Sequence, residues 1–396
     1  MARPPTITGT GMRGINRSAI LEIIRRESPI SRTAIAKRLD VSLPTVMRIV
    51  DDLMDEGFVR PHGTTEWSGG RRRSLLEFNA DGHVVIGIDL GGTRMFGAIA
   101  DLGGNILDEA ETSHHGASAK ESFQRLVDLI DALLASPKLQ GRQIRGIGVG
   151  APGITRHKEG IVEWAHSLNW QNYPLKAGLA ERYGLPIAVD NDVNLAALGE
   201  LWFGAGQNTQ NMVFITIGTG IGAGIIIDGA LYRGSREASG EIGHFVPGRD
   251  FLEKRYTEFG ALESLASGTG IAQRARQALR DRRDPAELQS LSIEDVFDAA
   301  RQGQEWARTI VDEAVDYLAI AVANVSVSFD PELIVLGGTV TRSVDLVAPI
   351  LRRIDGTIPT LPRLVVSTLG RRAAVMGAIT NVLHNTADFY MVRILS

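Results

Sequence analysis

The chain has 396 residues, no cysteine and a formal net charge of −4. The lack of cysteine excludes disulfides and thiolate-held metal. No apolar run approaches the roughly 18 residues of a membrane span, and none near Met1 reads as a secretory leader, so a cytoplasmic protein without a membrane partner is expected.

The length suits two or three domains, and charge divides the chain unevenly. Residues 1–80 carry 13 Lys/Arg against 9 Asp/Glu, and the remainder carries 29 against 37. A positive head on a negative body is the balance expected when DNA is met by the head alone.

Residues 1–14 read as frayed. Asn16 is placed to cap a helix running to about Glu27, with Ile20, Ile23 and Ile24 on one face. Pro29 breaks it. Ser31 can cap a second helix over residues 32–39, and Asp40-Val41 makes a short turn. Ser42 can cap a third, with Pro44 tolerated in the first turn. There Val46, Ile49, Val50 and Leu53 repeat at helical spacing and should be buried. That leaves Ser42, Thr45 and Arg48 near the helix start, where a recognition helix meets base edges. Residues 58–60 and 74–78 read as a hairpin, with Arg71, Arg72 and Arg73 on the loop between them, placed to neutralise phosphate or enter a narrow minor groove. The pattern over residues 1–80 is a winged helix-turn-helix. The plainer alternative is a three-helix protein-interaction module with a solvated arginine run.

The body, residues 81–396, opens with the apolar strand Val84-Val85-Ile86-Gly87-Ile88 and then Asp89-Leu90-Gly91-Gly92-Thr93-Arg94. A second strand follows at 95–100, turning at Gly103-Gly104. Residues 212–215 precede a glycine-rich segment from Thr216 through Gly218, Thr219 and Gly220 to Gly224, with a strand again at 225–228. Glycine lets backbone N–H groups approach an anionic oxygen that a side chain would block. Strand–turn–strand is not the strand–loop–helix of a dinucleotide fingerprint, and Gly-Lys-Ser/Thr is absent, which excludes a Walker loop. A third pattern, Gly337-Gly338-Thr339, comes after a long helix (residues 305–329) and the strand 333–336. Three such turns predict a nucleotide pocket between two α/β lobes. Asp192, in Asp190-Asn191-Asp192, sits where an apolar strand gives way to a helix over 195–203, a common place for a catalytic carboxylate. Glu241 and His244 follow in Gly240-Glu241-Ile242-Gly243-His244, and Glu263 in Gly260-Ala261-Leu262-Glu263. Taken singly, Asp89 could cap a turn, Asp192 a helix, and Glu241, His244 and Glu263 could be ordinary surface or half-buried residues.

Together these residues resemble the ROK family of repressors and sugar kinases, from about Ile15 nearly to the end of the chain. The resemblance implies an α/β protein: an N-terminal winged helix-turn-helix, then a two-lobed actin-like ATPase (ribonuclease H-like) sugar kinase fold. It further implies that Asn191, Asp192, Glu241, His244 and Glu263 bind sugar hydroxyls, with Asp192 as general base. Asp89 would act near a metal–phosphate; Gly91, Gly92, Thr93, Thr219 and Gly220 would hold phosphates; Gly337 and Gly338 would lie against the nucleoside. Most relatives hold zinc with the histidine of Gly-Glu-Ile-Gly-His and three cysteines. This chain has none, and Ala261 stands in the place of a ligand, so structural zinc is not expected. Gly337-Gly338-Thr339 departs from the three-glycine run common in kinases, and Arg94 replaces a frequent lysine.

The leading expectation is a sugar-responsive transcription regulator, a repressor, whose partners are double-stranded operator DNA and a sugar or sugar derivative. It would act as a homodimer or homotetramer and need no cofactor for regulation. The alternatives are an ATP- and Mg²⁺-dependent sugar kinase carrying a DNA-binding head, and a constitutive DNA-binding scaffold with an inert sugar fold.

Overall fold

The structure is a computed structural model that describes residues 9–68, 71–114, 116–256, 259–281 and 284–385. The head opens with α1 (Gly9–Glu27), then β1 (Ile30–Ser31), α2 (Arg32–Leu39), α3 (Leu43–Asp55), β2 (Val59–Ser68) and β3 (Arg71–Phe78). Ser31 and Ser42 cap α2 and α3 as their positions predict, each accepting a backbone N–H three residues on. Two expectations fail at the start of the chain. The helix begins at Gly9, so residues 9–14 belong to it and Asn16 lies inside it rather than at its cap. No proline intervenes between Pro5 and Pro29, so nothing removes an amide and the helix propagates back from the buried Ile20 and Ile24.

The hairpin is longer than expected. Arg71, Arg72 and Arg73 are not on its loop but in β3, opposite Ser68, Trp67 and Glu66. Thr65 and Trp67 favour a pleated strand and carry the ladder outward beyond an irregularity after His62. The side chains of these arginines lie outside the described residues. β1 also pairs with β3, through Ile30 and Leu76, a contact that two residues are too few to announce in sequence.

In the body, β4 (His83–Leu90), β5 (Arg94–Asp101) and β6 (Ile106–Ser113) form an antiparallel meander. After α4 (Ala119–Leu134), β7 (Gln143–Ala151) joins parallel to β4. A small antiparallel sheet follows: β8 (Ile154–Arg156), β9 (Ile161–Ala165) and β10 (Trp170–Tyr173). Then come α5 (Leu175–Tyr183), β11 (Ile187–Asn191), parallel to β7, and α6 (Asp192–Phe203). The second lobe repeats the plan. β12 (Met212–Ile217), β13 (Ile221–Ile227) and β14 (Ala230–Tyr232) form a meander. The helices α7 (Ala261–Ala266), α8 (Gly268–Leu279), α9 (Pro285–Ser290), α10 (Ile293–Arg301) and α11 (Glu305–Phe329) lead to β15 (Leu333–Gly337), parallel to β12. Then α12 (Val340–Ser343) and α13 (Val347–Ile354) precede β16 (Leu364–Val366) and α14 (Ala373–Asn385). The sheet orders are β11-β7-β4-β5-β6 and β14-β13-β12-β15-β16. Read from either meander edge they are the same topology, as a two-lobed actin-like fold requires.

Helices cover both faces of each sheet, which is why β4, β12 and β15 read as unbroken apolar runs. Val213, Ile215 and Ile217 face the α7–α11 layer; Met212 and Phe214 face α6 and α14. α6 and α14 thus lie between the sheets. α6 packs so closely on β13 that a Cβ at Gly224 would stand 2.5 Å from Ala197 Cβ. This corrects the reading of the segment as one phosphate turn: Gly222 and Gly224 are strand residues whose lack of a side chain admits α6.

Head and body share a core. Ile20, Ile24, Val59 and Leu76 join Val85, Ala98 and Met376 in one buried cluster. The Phe58 ring lies 4.6 Å from that of His83, at the start of β4, with the Arg145 guanidinium 4.1 Å over Phe58. Arg25, held by the buried carboxylate of Glu22 at 2.8 Å, stands 5.8 Å over Trp202, near the end of α6. Among the described residues no helix is long and apolar enough to cross a membrane.

Candidate functional site

The ends of β4, β7 and β11 stand side by side: Asp89 pairs with Gly150, and Gly150 with Asp190. The chain then turns into α6. Asn191 caps that helix, its Oδ1 accepting from Asn194 N–H at 2.9 Å while its Nδ2 donates to the Gly153 carbonyl at 2.9 Å. Asp192 begins the helix and accepts the Val193 N–H at 2.9 Å. A Cβ at Gly150 would lie 3.2 Å from Asp192 Cα, so Asp192 sits over the strand next to Asp89. Burial pushes the Asp89 carboxyl up to about 7, although the residue keeps an opening to the cleft. Burial, then the neighbouring Asp89 charge, pushes Asp192 well above the ordinary carboxylate range, with Glu241 adding to it.

Glu241 and His244 come from the loop after β14, at the exposed cleft edge. The surrounding walls still desolvate the Glu241 carboxyl and raise it; His244 opposes that and Glu263 adds to it. Glu263, in the first turn of α7, accepts the Ile221 N–H at 2.9 Å and the Gly260 N–H at 3.4 Å. Its carboxyl is raised by burial, against those two hydrogen bonds and His244. Asp192 is thus coupled to Glu241, and Glu241 to His244 and Glu263, while Asn191 directly precedes Asp192. The His244 ring has no hydrogen-bond partner among the described residues, and among these no group of three or more potential ligands is arranged to hold a metal. The chain has no cysteine, so the residues present do not fit a zinc centre of the family type.

The three glycine turns also meet. A Cβ at Gly92 would be 3.5 Å from Thr219 Oγ1, and one at Gly218 would be 3.6 Å from Thr339 Oγ1. Gly91 is held by the buried His114, whose Nε2 lies 2.7 Å from the Gly91 carbonyl oxygen; Thr93 accepts the His114 N–H at 3.1 Å. Gly337 closes β15, and Gly338 has φ +93°, which disfavours any side chain there. A cavity of about 180 Å³ lies on this side of the cleft, lined by Asp89, Asp192, Gly338, Arg342 and Arg371 among others. Asp192 belongs to both this cavity and the carboxylate group. Arg371 is already engaged, with Glu109 at 3.3 Å, Glu111 at 3.4 Å and its guanidinium 4.6 Å over Phe96.

The sequence reading missed several supports of this site. The main one is the pair Asp190–Arg233. Both guanidinium Nη atoms reach the carboxylate, at 2.7 and 2.6 Å, and Asp190 is 1% exposed. It ties the strand end before Asn191 to the second lobe. Nearby, Glu237 accepts the His157 N–H at 2.7 Å. A run of Asp-Asn-Asp gives no sign of which carboxylate is structural.

On the head, Ser42 Oγ accepts the Thr45 N–H at 3.4 Å and shares a 2.8 Å hydrogen bond with Thr45 Oγ1. Arg48 is exposed and has no polar partner among the described residues.

A profile described as "ROK family" matches residues 85–384, and one described as "Winged helix-turn-helix DNA-binding" matches residues 15–60. The chain is similar to the xylose repressor of Caldicellulosiruptor bescii, 32% identical over 391 residues, 96% of this chain and 98% of that one. It is also similar to the glucokinase of Halalkalibacterium halodurans, 35% identical over 308 residues, 74% of this chain and 92% of that one. Among solved structures, a ROK family transcriptional regulator described as a homologue of the E. coli MLC protein superposes with TM-score 0.80 at 27% identity, covering 94% and 96% of the two chains. A ROK family glucokinase from Streptomyces griseus in complex with glucose and AMPPNP gives TM-score 0.65 at 28% identity, covering 75% and 98%.

Proposed function

The chain belongs to the ROK family, and from that premise we infer that it is a sugar-responsive DNA-binding repressor. One observation carries the coupling. The helix whose first turn holds Asn191 and Asp192 ends on the head, where Trp202 lies beneath Arg25. Asp192, Asn191, Glu241, His244 and Glu263 would bind the sugar hydroxyls. Desolvation makes charged carboxylates costly in this cleft, and a hydroxyl that donates to them relieves that cost. Asn191 has already committed its Oδ1 and one Nδ2 hydrogen, so it would offer the sugar the other. Two heads, in a homodimer or tetramer, would meet half-sites about one DNA turn apart. We place this protein in the cytoplasm with its DNA.

The test is operator affinity by fluorescence anisotropy, with the full chain, against a panel led by xylose and glucose, the sugars named by the relatives. A sugar that shifts thermal unfolding yet leaves DNA affinity unchanged is not the effector. No shift from any sugar would leave the inert-scaffold reading.

A second reading, sugar kinase, is favoured by Asp192 lining one cavity with Asp89 and with Gly338 and Thr339 of the third glycine turn. ATP and Mg²⁺ would lie toward the cavity that Asp89, Asp192 and Gly338 line. Gly91, Gly92, Thr93, Thr219 and Gly220 would hold phosphates, Gly337 and Gly338 the nucleoside, and Asp89 would stand near the metal. The nucleotide supplies the phosphoryl group; Asp192 would take the proton of the attacked hydroxyl, a role worth roughly a hundred- to ten-thousand-fold. Turnover with ATP, Mg²⁺ and glucose, lost in Asp192→Asn, would establish it; silence across the panel leaves the repressor alone.

A further inference from the structure

We propose that Leu43 and Met47 of α3 read thymine methyl groups, and so set part of the operator sequence. The proposal rests on the DNA-binding reading and adds to it which bases the helix selects.

α3 satisfies its core with Val46, Ile49, Val50 and Leu53, each at most 1% exposed. Of the other apolar side chains, Met54 is partly buried against the head core, whereas Leu43 and Met47 face outward, 39% and 47% exposed. A single exposed apolar residue is ordinary. These two are four apart, so they stack on one stripe of the helix, in the N-terminal half that enters the major groove in this class of domain. Pro44, also exposed, lies between them in sequence.

The polar groups beside them narrow the choice. Ser42 and Thr45, expected to read base edges, spend their hydroxyls largely on each other and on the cap. Asp51, one turn beyond Met47, is tied to Arg32 at 2.8 Å. Arg48 alone presents an uncommitted polar group on that stretch. A face made of Leu43, Met47 and Arg48 offers two apolar surfaces and one cation. Along the base edges of the major groove the only apolar group is the thymine C5-methyl, while a free arginine matches guanine O6 and N7. A leucine and a methionine set against any other edge would leave base polar groups without partners.

The experiment starts with the full chain selecting duplexes from a random library. If no sequence is enriched, the DNA-binding reading itself fails, and this proposal with it. Given an enriched site, each thymine is replaced singly by deoxyuridine, which removes the methyl and nothing else. The expected loss is roughly fourfold per methyl at one or two positions in each half-site. Met47→Ala should bind thymine and deoxyuridine equally at one such position, and Leu43→Ala at another. Both side chains are exposed, so both variants should fold, which thermal unfolding checks. Deoxyuridine tolerated at every position, or a thymine preference unchanged in both variants, overturns the proposal while leaving DNA binding intact. So does a change of oligomeric state in Met47→Ala, which would make the stripe a contact between heads.

Discussion

Asp89 shows what a desolvated carboxylate costs. Its carboxyl titrates at about 7 instead of the ordinary 3.8. Between those values the unfolded chain has lost the proton that the native state keeps. Stability from this group is therefore complete below about pH 4, falls as pH rises, and is gone above about 7. Asp89→Asn keeps the shape without the charge. We expect it to raise the melting temperature at pH 8 by a few degrees, on the order of 2 kcal/mol once the opening to the cleft is allowed for, and to change little near pH 3, below the unfolded value. An equal effect at both pH values would mean that Asp89 is not desolvated. The Asp190–Arg233 pair behaves differently, because each partner is needed by the other. Arg233→Met would strand a buried carboxylate and cost about 3–5 kcal/mol. Asp190→Asn with Arg233→Met should recover much of that loss in denaturant unfolding. A double variant as unstable as the single would assign the loss to packing instead.

At the scale of elements, α6 is the part that touches everything. Its first turn carries Asn191 and Asp192, its middle packs on β13 through Gly224, and its end bears Trp202 against the head. A rigid helix anchored at a ligand and at a partner transmits displacement only if its far contact differs between states. Trp202→Ala should thus leave sugar affinity and sugar-free DNA affinity near wild type. The coupling between them, roughly 5- to 150-fold in such systems, should fall toward one. Operator affinity at zero and saturating sugar measures it; undiminished coupling would remove α6 from the route. Much of this was legible in sequence. The caps Ser31 and Ser42, the run 305–329 and the paired strands around Asp89 are local signals, written within a few residues. What stayed hidden depends on distant partners. Arg233 lies 43 residues from Asp190, His114 braces Gly91 from another strand end, and Gly222 and Gly224 read as a phosphate turn until α6 is laid on them.

For the whole molecule, the head is not suspended on a tether. It is fixed to the first lobe through Phe58, His83 and Arg145, at the start of β4 and β7, and touched by α6, which packs against the second sheet. The other ends of β4 and β7 reach Asp89 and Gly150 at the cleft. A lobe rotation that carries α6 with the second sheet would then move Trp202 relative to Arg25. Linkage makes this reciprocal: if sugar weakens DNA binding by some factor, saturating operator must weaken sugar binding by that same factor. Titrating xylose, or whichever sugar shifts the operator, into the full chain with and without duplex DNA by calorimetry gives both sides of the cycle. Equal factors mean that the sugar site read by calorimetry is the one coupled to the operator. Sugar affinity indifferent to DNA, alongside DNA affinity that responds to sugar, would mean that the titrated site is not the one through which the effector acts.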